Sequence, residues 1–223
     1  MFRRRRRHAE PEADAAAPAP APAPARESGP WDADESYPER GRVDLGGLLL
    51  PVIEGSDIRL IAPAEQIVGV AVLVDESALQ LHVLAAPRSS GLWDEVRAEL
   101  AEGVKKAGGT TEEREGSFGT ELIGRIPVEG QDAQTVRYVG VDGPRWLLHA
   151  VFSGRAATDE AAAEPLEVVV RDVVVVRGEG PMAPKDTIEL RQPPETHPAG
   201  DDAEGEGPDL DPFRRGPEIT ETR

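Results

Sequence analysis

No cysteine occurs among the 223 residues, so disulfides, thiolate nucleophiles and sulfur-ligated zinc are excluded together. No apolar run reaches the roughly 18 residues that a membrane-spanning helix requires. Aromatic residues make up only 4% of the chain, which fits a folded domain diluted by low-complexity segments. The four histidines are His8, His82, His149 and His197, and none stands in a His-Glu-x-x-His or similar spacing, so no metal site is expected. A Gly-x-Ser-x-Gly elbow is missing. Gly116-Ser117-Phe118-Gly119 lacks the Gly-Lys-Ser/Thr ending that lets a loop cradle phosphates. No constellation calls for a cofactor, and the expectation is a protein that is not an enzyme.

What is present is uneven charge. The formal net charge is −17. Residues 1–28 hold six Arg against four acids, and residues 195–223 hold nine acids against three Arg, which leaves −13 on the segment between. A core so acidic repels nucleic-acid phosphates and anionic membranes. The N-terminus carries Arg3, Arg4, Arg5, Arg6 and Arg7, followed by His8-Ala9-Glu10-Pro11-Glu12 with no apolar stretch behind. That order fits neither a general nor a twin-arginine export signal, so a cytoplasmic location is expected. Ala15 to Ala25 alternates proline with alanine and reads as an extended spacer. The resulting division is a disordered Arg-rich and Ala/Pro-rich tail over 1–40, a single α+β domain over 41–195, and a disordered acidic tail over 196–223.

Between the tails the pattern is rich in strands. Ile58–Ile61, Gln66–Val74 and Leu79–Leu84 read as strands, with Asp75-Glu76-Ser77-Ala78 connecting the last two. Leu92, Val96, Leu100, Val104 and Ala107 recur at helical spacing over 92–107. Ser90 is the expected N-cap and Gly108-Gly109 the stop. Strands follow over 118–128, 135–141 and 145–152, with Asp142-Gly143 as the hairpin-turn signal between the last two. In the third of these, Trp146, Leu148, Ala150 and Phe152 share one face and Leu147, His149 and Val151 the other, so both faces should be covered. Thr158–Arg171 reads as a second helix and Val173–Val176 as a final strand. The fold class is therefore α+β, an antiparallel sheet with two helices packed on it, flanked by disordered tails.

Four stretches carry a likeness. They are Ala85 to Arg97, Gly116 to Leu122, Arg137 to Trp146 and Val175 to Met182. In this order they resemble the actinobacterial family named domain of unknown function 3710, over roughly residues 42–192. The resemblance implies no catalytic residues. The layout is also loosely similar to the PsbP-like antiparallel sheet sandwiches.

Recognition chemistry concentrates in Arg88, Trp93, Asp142, Arg145 and Trp146. Two of the three tryptophans and two arginines lie beside proline- or glycine-bearing turns, and Arg and Trp are the common anchors of binding surfaces. The structural reading is that the tryptophans are core and that Arg145 pairs with Asp142 across the hairpin. The leading expectation is a non-enzymatic binding or scaffolding domain whose partner is another protein or a small ligand. The alternative is a nucleic-acid-associated factor acting through Arg3 to Arg7, although no aromatic beyond Phe2 interleaves that cluster to stack on bases.

Overall fold

The computed structural model of the chain describes residues 28–88 and 91–193. The expected tails over 1–27 and 194–223 lie outside the described residues, as do Arg3 to Arg7. Eleven strands and two α-helices are described. The strands are β1 (Trp31–Asp32), β2 (Arg42–Asp44), β3 (Leu48–Pro51), β4 (Asp57–Ile61), β5 (Gly69–Val74), β6 (Ser77–Ala85), β7 (Thr110–Gly116), β8 (Gly119–Ile126), β9 (Gln134–Gly143), β10 (Trp146–Gly154) and β11 (Val174–Val175); the helices are α1 (Trp93–Lys106) and α2 (Glu160–Asp172).

Seven strands form one antiparallel sheet in the order β4-β5-β6-β10-β9-β8-β7. Its centre is built from period-2 sequence. Ser77, Leu79, Leu81, Val83 and Ala85 of β6 are buried while the residues between them are half-buried, and Trp146, Leu148, Ala150 and Phe152 of β10 are fully buried beside them. This inner face packs on Ala163, Leu166, Val169 and Val170 of α2 and on Leu48, Leu50 and Val175 of a small second sheet. The small sheet runs β1-β11-β3-β2, with β1 parallel to β11. On the outer face Leu147 packs with Leu92, Trp93 and Val96 of the α1 segment. Both faces of β10 are thus covered, as its sequence requires.

Several local expectations change. The β5–β6 turn is only Asp75-Glu76, because Ser77 already pairs with Val74. Asp142-Gly143 is not the β9–β10 turn: both residues belong to β9, Gly143 pairs with Trp146, and the corner is Pro144-Arg145 with Arg145 at φ 66°. Gly143 is glycine for another reason, since a Cβ there would collide with the Trp146 ring. Helix α1 ends as expected, with Gly108 at φ 80° and the Gly109 amide donating to the Val104 carbonyl. Its start differs. Ser89 and Ser90 lie outside the described residues, the N-cap is Leu92 with no side-chain cap of its own, and the capping carboxylate comes from Asp142. The described fold also includes residues before 41. Trp31 and Asp32 pair with Val174 and Val175, and the Gly29 amide donates to the Arg171 carbonyl.

Candidate functional site

Trp146 anchors one end of the large sheet. Its ring is fully buried, and Nε1 donates to Asp32 Oδ2 at 2.5 Å. Asp32 is 7% exposed, and its other oxygen accepts from the Asp34 amide at 2.8 Å. A buried carboxylate needs such donors, so this bond fixes the N-terminal segment against β10. Trp93 is equally structural: it is buried and its Nε1 donates to the Thr120 carbonyl at 2.7 Å. Gly140 leaves the space that its ring occupies.

Asp142 does not pair with Arg145. Its Oδ1 accepts from the Leu92 amide at 2.6 Å, and the Trp93 amide lies 3.3 Å from both carboxylate oxygens. Two orphan amides at the positive end of α1 are satisfied by a carboxylate from a strand 50 residues away. Arg145, freed from that role, reaches the Gly178 carbonyl at 3.4 Å.

The remaining predicted residues converge with one that sequence reasoning missed. Arg145 sits at the β9–β10 corner and Arg177 follows β11. Together with Pro144, Val176, Asp34 and Glu179 they line a cleft of about 310 Å³. Burial first, then the charges of Arg145 and Arg88, lowers the pKa of Arg177 below that of an ordinary arginine. Arg88 is exposed and stands at the same end. Arg177 donates to the carbonyls of Gly178 and Gly180, yet its Nε is buried without a hydrogen-bond partner. Among the described residues none of these three arginines forms an ion pair.

A second polar feature is internal. Glu121 is wholly buried and grips Arg137 through two bonds of 2.7 Å. Arg137 also meets Glu167 Oε1 at 2.7 Å and lies over the Phe152 ring at 4.7 Å. Burial opposes ionisation of Glu167, but hydrogen bonds from Arg137 and Ser117 outweigh it and hold its pKa below the ordinary value. Here every buried charge has a partner, which marks a structural network at the floor of a cleft of about 490 Å³.

The two strand histidines are not solitary. His82 and His149 are direct cross-strand partners with ring centroids 6.1 Å apart. The rings of Trp93 and Tyr138 lie at the same distance from His149. Burial, then the neighbouring His82, lowers the His149 pKa to about 4. Among the described residues no group of three His, Cys, Asp or Glu side chains is placed to hold a metal ion.

A family model described as a protein of unknown function (DUF3710) matches residues 29–199. The chain belongs to that family. The match begins at Gly29, where the DUF3710 fold makes its first backbone bond to the end of α2. Among solved structures, the solution structure of cyanobacterial PsbP from Synechocystis sp. PCC 6803 is similar at 16% identity, covering 63% of this chain and 97% of that one, with a TM-score of 0.38. No curated protein matches. Among the described residues no helix is long and apolar enough to cross a membrane.

Proposed function

We propose that this is a non-enzymatic binding domain of the cytoplasm that engages a protein or small-ligand partner at the arginine end of its large sheet. One observation carries the reading. Arg88, Arg145 and Arg177 gather at one end of a domain segment with net charge −13, and none forms an ion pair among the described residues. Acids are abundant and four of them, Asp32, Asp34, Glu35 and Glu179, line the same cleft. Arginines gathered beside acids without pairing to them keep their guanidinium donors for another acceptor, which favours a partner that supplies one.

The backbone adds support. Arg145 adopts φ 66°, a region where glycine or asparagine is the ordinary occupant. Glycine would fit the corner without strain, and a guanidinium is there instead. Strain of this kind collects at sites of function. The nucleic-acid alternative gains nothing comparable, because this end of the sheet offers a phosphate backbone three arginines on a domain with a strong excess of acid.

The test compares full-length parent protein with the Arg145→Gly/Arg177→Gln double variant in a quantitative pull-down, with melting curves run in parallel. An anchor pair should contribute about 2 kcal/mol or more, so partner recovery is expected to fall about tenfold while the melting temperature stays close to the parent's. Unchanged recovery of every partner by a folded double variant would remove the site.

A further inference from the structure

We infer that the groove beside α1, on the outer face of the large sheet, binds a small uncharged molecule: an apolar ring system carrying one oxygen that accepts a hydrogen bond. The site is separate from the arginine end and does not depend on it.

The ring system follows from the walls. Helix α1 packs over β7, β8 and β9, and a groove of about 350 Å³ opens along its flank. Val96, Leu100 and Val104 form the helix side, and Tyr138 of β9 with Ile126 of β8 form the sheet side. Among the described residues that line it, Glu99 alone is charged, and Lys185 already holds its carboxylate at 2.6 Å. In a chain whose residues are 30% charged, this lining offers an ion no free partner. The volume lies at the small end of ligand sites, which run from about 300 to 1,000 Å³, and admits one or two fused rings.

Gly103, which also lines the groove, is the observation that points to an occupant. Glycine destabilises a helix relative to alanine. Gly140 and Gly143 have a reason to be glycine, because a Cβ at either would strike a tryptophan ring. Gly103 has none within the domain: its φ is not positive, and a Cβ there would meet no atom within 4 Å. A flat molecule laid against the helix backbone supplies the reason. Tyr138 provides the polar handle. Burial pushes its pKa up, so the hydroxyl stays protonated, and among the described residues it has no hydrogen-bond partner. A phenolic O–H in that state is a donor for a ligand oxygen.

Fluorescence titration of the full-length chain tests this with two probes. One is prodan, an uncharged naphthalene ketone; the other is anilinonaphthalene sulfonate, which has comparable rings and a negative charge. Parent, Gly103→Leu, Gly103→Ala and Tyr138→Phe proteins are compared, with melting curves in parallel. Prodan should bind the parent at one saturable site with blue-shifted emission. Gly103→Leu fills the groove and should weaken that binding about tenfold or more, while the protein melts at or above the parent's temperature because the helix has lost a glycine. Gly103→Ala should do the same to a smaller degree, and Tyr138→Phe should weaken binding about three- to tenfold through the lost hydrogen bond. The sulfonate should show no binding that depends on Gly103. The Arg145→Gly/Arg177→Gln protein should bind prodan like the parent, which keeps the two sites distinguishable. Absence of saturable prodan binding, or equal binding by parent and a folded Gly103→Leu protein, overturns the site. Sulfonate binding that matches prodan and depends on Gly103 overturns the uncharged assignment, and an unchanged Tyr138→Phe affinity overturns the oxygen contact.

Discussion

Trp146 and Arg145 are chain neighbours with opposite roles, and their variants should separate cleanly. Trp146→Ala empties a fully buried site and strands the buried Asp32 carboxylate, so a loss of about 3–5 kcal/mol is expected in denaturant unfolding. Arg145→Gly removes a half-buried guanidinium and relieves a positive φ, and should move stability by about 1 kcal/mol or less. A Trp146→Ala protein that unfolds like the parent would overturn the core assignment. Arg137 is the third informative residue. Replacing it with leucine strips the wholly buried Glu121 of its two close bonds, leaving it only Arg114 at 3.7 Å, while Glu167 keeps Arg171; the change should cost about 3 kcal/mol. His149 adds a pH dependence. Its folded pKa of about 4 lies below the unfolded value near 6.5, so its contribution is complete above pH 6.5 and is lost as pH falls toward 4, by about 3 kcal/mol at most. Melting curves at pH 7 and pH 4.5 should show a smaller acid loss for His149→Phe than for the parent; equal losses would refute the assignment.

Among the elements, α1 shows how far sequence reaches and where it stops. Its apolar stripe, its acidic first turn and its Gly108-Gly109 stop are all local signals, and all three describe the helix as it is. Its N-terminal cap was not legible, because Asp142 arrives from β9 through tertiary structure. The same carboxylate explains why Asp142-Gly143 imitates a turn. Aspartate is there to cap a helix and glycine to admit an indole ring. Asp142→Ala should therefore destabilise the protein by about 1 kcal/mol, with faster amide exchange in the first turn of α1 as its local signature. Uniform exchange changes across the sheet would argue instead for a hairpin role. Strand β7 went unread because Thr110 to Gly116 forms an exposed, highly charged edge with no alternation of apolar residues. Strand β1 is two residues long and acquires meaning only from β11, more than 140 positions later.

Across the whole molecule, the candidate site is assembled from segments that sequence treats as unrelated. Arg88 precedes α1, Arg145 turns a hairpin, and Arg177 follows the last strand. The first two were recognisable as polar anchors next to turn residues. Arg177 lay inside a family-like stretch without standing out, since nothing in Val-Val-Arg-Gly-Glu-Gly signals that it will meet Arg145. The function proposed for this end of the sheet therefore depends on whether its arginines bind anions. The direct measurement is the melting temperature of the full-length chain in phosphate against chloride at equal ionic strength, for the parent and for Arg145→Gly/Arg177→Gln. A ligand that binds only the folded state raises stability by mass action, and each kcal/mol is about 2–4 °C for a domain of this size. Phosphate is predicted to raise the parent's melting temperature and to leave the double variant's unchanged. Equal rises in the two proteins would contradict the assignment of the arginine cleft as the binding site.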